Sequence, residues 1–483
     1  MAPDQTPVIV GVSIAAPRDP DALSEPVSLM IDAARAAADD SGAAGMAAWV
    51  DLVAVAGGLW SYRNPGHWIA RAIGADARTM LTTISGQTPV ALLADIAERL
   101  QRGVLGAALI VGGECTRSRR RARRRGVDAP RHVDTERPPD EVWGSPLVIG
   151  DPGAEAVAGH MPRNAFALLE SAIRAKRGET MAENRRRAAE LCAGFAAVAA
   201  DVEHSPTERA MSATEIVEVS PENRMVSWPY TKAMSANNTV DRAGALLVCS
   251  LDVAREHGVP PDRMVFPHRI SMADDTDFVA SRRDLAVHPG LQAAADDMLS
   301  FTGDSAGIDR FDLYACFPSM VALAVEALGI DAGRPLTVSG GLAFTGAPTN
   351  FGAGEGLIAM VDCLREDAPG ITGLVHGSGG MAAKHALGLL SASPPTEPFV
   401  ASRQTPELHP SALAAPDRNG PAVIDGVTVD YLQESPTVVA LVRFNDGSRA
   451  WATSSDQTTV EAVTTTETVG AAADVQGGQL LLT

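Results

Sequence analysis

The sequence predicts an α/β protein built from two copies of one layered unit, and three observations predict it. Short β-branched runs alternate with longer Ala-rich periodic segments. The second half of the chain repeats the order of the first. An Arg- and Glu-rich stretch then interrupts the middle, and alternating strands without a clear helix close the end. Continuous apolar strands separated by helices argue for a parallel sheet covered on both faces.

Val8–Val12 reads as a strand, Val27–Asp40 as a helix with Leu29, Ala33 and Ala36–Ala37 on one face, and Val50–Ala56 as a strand. Pro89–Arg102 is a helix opened by proline, and Ala107–Gly112 a strand. In the second half His288–Leu299 is helical, Phe311–Cys316 a strand, Pro318–Leu328 and Gly354–Arg365 helices, and Ile371–His376 a strand. Three pairs line up: VDLVAVAG at 50 with FDLYACFP at 311, VALLADIAERL at 90 with GLIAMVDCLRE at 356, and AALIVGGE at 107 with GLVHGSGG at 373. Each pair sits at the same point of a β-α-β-α-β unit, so a tandem duplication is expected.

The expected domains are residues 1–115, completed by 236–260; an inserted loop region, 116–235, with helices at Arg163–Arg177 and Ala182–Glu203; a second half, 261–392; a Pro/Ser-rich linker, 393–418; and a small all-β domain, 419–483. In that last domain Val423–Leu432, Val438–Phe444 and Arg449–Ser454 alternate like strands, and Asn445-Asp446-Gly447 is a hairpin turn.

Composition limits the function. The 483 residues are 46% apolar and 20% charged, which fits a folded globular chain and excludes disorder as the main state. No apolar run reaches the roughly 18 residues that a membrane helix needs. The N-terminus has no basic residue before its first apolar stretch, so a secretory signal is not expected. Five cysteines, at 115, 192, 249, 316 and 363, have no paired spacing, and a cytoplasmic protein with reduced thiols is expected. The histidines, His268 and His288 among them, have no metal-ligand spacing, and no metal site is expected. The net charge of −19 disfavours a nucleic-acid partner. Against it Arg117, Arg119, Arg120, Arg121, Arg123, Arg124 and Arg125 fall within nine residues, either as a solvated basic loop or as a site for an acidic ligand.

Six ordered fragments resemble the thiolase superfamily: TTISGQTPVALLADI (82–96), ALIVGGE (108–114), ANNTVDRAGALLV (236–248), DLYACFPSMVALAVEALGI (312–330), SGGLAFTGAPTNFGAGEGL (339–357) and LVHGSGGMAAKH (374–385). NRM at 223–225, PYTK at 229–232 and the extra β domain are similar to the sterol-carrier-type thiolases and thiolase-like proteins of type 1. The resemblance implies duplicated βαβαβ halves in α-β-α-β-α layers, and a CoA thioester as ligand or substrate with no permanently bound cofactor. It also implies a label of acetyl-CoA acetyltransferase.

The catalytic positions depart from the family. Its cysteine nucleophile falls on Thr83, whose hydroxyl is not ionised as a thiol is at a helix N-terminus. The histidine of its Gly-His-Pro falls on Ala347. The oxyanion-stabilising position falls on Tyr314, still a hydrogen-bond donor. The second cysteine falls on His376, which can move protons near neutral pH. Cys316 is an alternative nucleophile or a packed thiol. For CoA phosphates the resemblance and the charge point to Arg119, Arg120 and Arg121, with Lys232 and Asn237 where pantetheine contacts cluster. Three functions follow: a CoA- or acyl-CoA-binding protein of lipid metabolism with a degenerate site; a divergent acyltransferase using His376 and Tyr314; or a non-catalytic scaffold whose β domain recruits a protein partner.

Overall fold

The protein is described from a computed structural model covering residues 5–483 apart from 20, 134, 136, 146–149, 151–152, 204 and 409–411. The first half runs β1 (Pro7–Ala15), α1 (Pro26–Asp40), β2 (Leu52–Val55), α2 (Pro65–Ile73), β3 (Arg78–Thr82), α3 (Thr88–Gln101) and β4 (Ala107–Cys115). Next come α4 (Thr116–Arg125), β5 (Glu141–Trp143), α5 (Pro162–Arg177), α6 (Met181–Ala199), α7 (Ala213–Val217), β6 (Met225–Ser227) and β7 (Tyr230–Thr231). β8 (Asp241–Ser250) and α8 (Leu251–Glu256) return to the first half. The second half is β9 (Phe266–Asp274), α9 (Pro289–Thr302), β10 (Arg310–Asp312), α10 (Pro318–Leu328), α11 (Gly352–Glu366), β11 (Thr372–Gly379) and β12 (Lys384–Ser391). The chain ends with β13 (Val400–Gln404), β14 (Gly420–Asp430), β15 (Thr437–Phe444), β16 (Arg449–Ser454), α12 (Gln457–Thr465), β17 (Ala472–Gln476) and β18 (Gln479–Leu482).

The two halves share one topology. In the first sheet, ordered β1-β8-β4-β2-β3-β5, the pairs β1–β8 and β8–β4 are antiparallel and β4–β2 is parallel. In the second, ordered β10-β11-β12-β9-β13, the pairs β9–β12 and β12–β11 are antiparallel and β11–β10 is parallel. β2 thus matches β10, β4 matches β11, and α3 matches α11, as the internal repeat predicts. The sheets are mixed, which corrects the expectation of a parallel sheet. β12 follows β11 after a tight turn at residues 380–383, and so short a connection can only reverse the chain.

Five layers result. α1 and α2 cover the outer face of the first sheet through Val27, Met30, Ala33 and Ile69. α3 and α11 lie between the two sheets, where Val90, Leu93, Leu357 and Val361 form one core with residues of both. α9 and α10 cover the far face together with α5 and α6. The middle layer is tight. α11 starts Gly352-Ala353-Gly354-Glu355-Gly356, a poor helix composition by propensity. A Cβ on Gly354 would lie 2.7 Å from the Phe351 ring, and one on Gly356 would lie 2.2 Å from Asp312 Oδ2. Close packing selects glycine there.

Three features of the C-terminal third differ from the sequence expectations. Within 393–418, β13 pairs parallel with β9 and extends the second sheet. In the last stretch α12 forms where no helix was expected. Asp456 caps it by accepting from Thr459 N–H at 2.9 Å, while its Thr-rich turns carry a weak helical signal. The β region is also not a separate body. Asp430 of β14 pairs with Ser227 of β6, so strands of the inserted region join its sheet. β14 pairs with β15 as well as β17, and the strands β15-β16-β18-β17-β14 close around Ile424, Val438, Val442 and Val475.

Candidate functional site

A cavity of about 1000 Å³ opens where the two halves meet the inserted region. Its floor is the turn between β3 and α3 (Ile84, Ser85, Gly86), Tyr314 after β10, Ala347 and Asn350 before α11, and Ser378 to Gly380 at the end of β11. Its walls are apolar, with Phe166, Met211, Phe317, Leu342, Phe344 and Met381. The segment 232–239, where the inserted region joins the first half, runs along one side.

Backbone bonds fix this floor. Asn350 Oδ1 accepts from Ser85 N–H at 2.6 Å, and its Nδ2 donates to Thr83 O at 3.2 Å, so one amide clamps the β3–α3 turn. Ala347 N–H donates to Asn237 O at 2.9 Å, Asn237 N–H donates to Leu342 O at 2.9 Å, and Ala236 N–H donates to Cys316 O at 3.0 Å. The segment just after the inserted region is therefore stitched to the second half by its main chain. Gly86 sits where two segments converge: a Cβ there would lie 2.1 Å from Ser378 O and 2.5 Å from the Tyr314 hydroxyl. Ser85 donates its hydroxyl to Gln87 Oε1 beside Gly379.

The residues named from sequence divide into two groups. Tyr314, Ala347, Arg120, Lys232 and Asn237 all line the cavity, as does Cys316. Thr83, His376, Arg119 and Arg121 do not. Thr83 N–H donates to Trp143 O at 2.9 Å, and its hydroxyl lies against Gly144, where a Cβ would come within 2.5 Å. His376 is buried, with Nε2 3.4 Å from Nδ1 of His385, and burial holds its imidazole well below the usual histidine range. Burial pushes the Tyr314 phenol up, and pushes the Cys316 thiol up to about 12, so neither is an anion at neutral pH.

The arginine run forms the helix α4, not a loop. Arg119 pairs with buried Glu114 at 2.9 Å, and Arg121 with Asp21 at 3.3 Å. Arg120 donates to Thr239 Oγ1 at 2.6 Å on the cavity side. Arg120, Arg224 and Lys232 are exposed cations at the rim, and Lys232 Nζ donates to Glu222 O at 3.3 Å. Arg163, also at the rim, is held by both oxygens of Asp430. His160, Asn238 and Ser378 line the cavity without a sequence signal that singled them out. Ser378 is within the glycine loop, and its face of β11 follows from the strand alternation that also buries Leu374 and His376. Among the described residues no helix is long and apolar enough to cross a membrane.

No protein-family model matches the sequence, and no curated protein matches it either. Solved structures do. A monomeric SCP2-thiolase like protein type 1 from Mycobacterium smegmatis is 27% identical, with a TM-score of 0.83 over 99% of this chain and 100% of that one. An acetyl-CoA acetyltransferase from Syntrophomonas wolfei is 17% identical, with a TM-score of 0.55 over 80% of this chain and 99% of that one. An Ltp2-ChsH2(DUF35) aldolase is 16% identical, with a TM-score of 0.59 over 80% of this chain and 98% of that one. The last two share the fold.

Proposed function

We propose that this chain, whose fold is that of the thiolase superfamily, binds CoA or an acyl-CoA and performs little or no carbon–carbon chemistry. In this reading it serves cytoplasmic lipid metabolism as an acyl-CoA-binding protein derived from an acetyltransferase scaffold. The observation that carries it is a cavity with exposed cations at the mouth and apolar walls behind them. Arg120, Arg224 and Lys232 suit the pyrophosphate and 3′-phosphate of CoA as charge-assisted donors. The apolar walls suit the pantetheine and acyl chain.

Among the described residues the floor offers no activated thiol. Claisen condensation or thiolysis needs a thiolate to accept the acyl group and a base to make it. Residue 83 is a threonine turned toward Gly144, residue 347 is an alanine, and the Cys316 thiol is held neutral by burial. Tyr314 remains able to hold a thioester carbonyl by a hydrogen bond.

Calorimetric titration with CoA and acetyl-CoA tests the binding, and acetoacetyl-CoA thiolysis tests the chemistry. Saturable binding without turnover is expected. Absence of binding heat overturns the ligand, and enzyme-level thiolysis overturns the claim of a silent site.

A further inference from the structure

Beside the turn at 380–383, the second half carries a cluster that does not line the cavity. Asp275 follows β9, His288 precedes α9, and His385 lies in β12. They are separated by 13 and 97 residues in sequence, so no spacing motif reveals them, yet one donor atom from each lies within 4.8 Å of the other two. Asp275 Oδ2 is 3.4 Å from His385 Nε2 and 3.7 Å from His288 Nδ1. The three side chains are 3%, 0% and 2% exposed.

We infer that Asp275, His288 and His385 form a binding site for a single divalent transition-metal ion of the zinc type. Two ligands about 2.1 Å from a tetrahedral ion lie about 3.4 Å from each other, and the carboxylate oxygen already stands 3.4 Å from one imidazole nitrogen and 3.7 Å from the other. Two imidazoles and one carboxylate suit zinc or cobalt; calcium and magnesium require oxygen donors.

A second observation points the same way. Nε2 of His385, the atom that faces the carboxylate, is buried and makes no hydrogen bond, although leaving a buried polar atom unpaired is costly, while Nδ1 of His288 also lies 3.1 Å from Ala382 O. At 3.4 Å, His385 Nε2 faces the carboxylate without forming a good hydrogen bond to it. Outer contacts hold the ligands in place, as is usual around bound metal. Asp275 Oδ1 accepts from Gly290 N–H at 2.8 Å, Oδ2 accepts from Leu291 N–H at 3.3 Å, and Asp275 N–H donates to Ala383 O at 2.6 Å. His376 Nε2 lies 3.4 Å from the far nitrogen of His385.

Asp275 also lines a cavity of about 250 Å³ with Thr276, Arg282, Asp284 and Pro289, which gives the ion a route in and water a place as a further ligand. Arg282 and Arg283 are the cations of that lining, and the guanidinium of Arg282 is turned onto the carbonyls of Thr276 and Met381, at 3.0 and 2.6 Å. An ion at this point would tie β9, β12 and the start of α9 together, a structural link on the second half.

The test uses the full chain without an affinity tag, stripped with a chelator and then equilibrated with Zn²⁺ or Co²⁺. One equivalent of Zn²⁺ should remain after gel filtration. The Co²⁺ form should show the visible absorption of a low-coordinate nitrogen–oxygen site with no thiolate charge-transfer band, which separates it from binding at the cysteines. His385→Gln and His288→Gln should each weaken binding by about a hundredfold, and His376→Ala by about tenfold, as outer partners do. His160→Gln, at the other cavity, should leave it unchanged. Retention of less than about a tenth of an equivalent by the folded wild-type chain overturns the site. So does equal retention by the His288→Gln/His385→Gln double variant. CoA titration of the same samples reads the other cavity separately, so failure of one reading leaves the other intact.

Discussion

Residue 347 is a buried alanine whose N–H is donated to Asn237 O, and its side chain has no group able to take a proton. In the proposed reading, sulfur alone at residue 83 is therefore not enough. Thr83→Cys should leave acetoacetyl-CoA thiolysis at background, because the new thiol faces Gly144 and has no imidazole at 347 to ionise it. Arg120→Ala should weaken CoA binding about fivefold and lower its salt sensitivity, the scale of one charge-assisted contact. Arg119→Ala and Arg121→Ala should leave affinity nearly unchanged in the same titration, since those arginines face Glu114 and Asp21. Tyr314 and Ala347 were legible as cavity residues because motif order fixes them on the floor. The division of the arginines was not, because their acidic partners come from distant segments.

At the scale of elements, the β region is fastened to the inserted helices by charge. Asp430 of β14 accepts from Arg163 at 2.8 and 3.2 Å and from Asn164 at 2.9 Å, and Arg174 of α5 meets Glu467 at 2.8 and 2.9 Å. Burial by itself raises the Asp430 carboxyl, but Arg163, Asn164, the Leu432 N–H and Gln433 together lower it below the ordinary carboxylate range. A folded value below the unfolded one means the contribution is present above the unfolded value near about 3.9 and is lost as pH falls through the folded one. Asp430→Ala should thus destabilise the chain by about 3 kcal/mol at pH 7, as loss of one partner of a buried pair does. Urea denaturation at falling pH should show that difference shrink from roughly pH 5 downward. The strands here were legible from alternation and the Asn-Asp-Gly turn. The attachment was not, since one Asp in a strand end carries no mark of its partner.

Across the whole molecule, one ring joins the halves. A Cβ on Gly112 of β4, Gly244 of β8 or Gly354 of α11 would come within 2.5, 2.7 and 2.7 Å of Phe351, so an aromatic side chain of the second half fills a socket of glycines, two of them in the first sheet. Phe351→Ala should cost about 4 kcal/mol, the scale of a large buried truncation, read as a lowered urea midpoint. Gly244→Val should be destabilising too, because the added methyls meet that ring and Ile358. Gly112 and Gly244 are unremarkable strand glycines in the sequence, and only the Phe351 ring at the start of α11 gives them a reason.

The sequence by itself determined the duplicated α/β scaffold, the order of most of its strands and helices, and that a threonine stands at 83 and an alanine at 347. Those properties are local: they rest on periodicity, repeat and motif position. The tertiary structure decided which side chains face a shared space. It brought Arg120, Arg224 and Lys232 to one rim and turned Thr83 and His376 away from the cavity. It also gathered Asp275, His288 and His385 from three elements. Such convergence depends on how sheets and helices pack at long range, and sequence spacing carries no record of it.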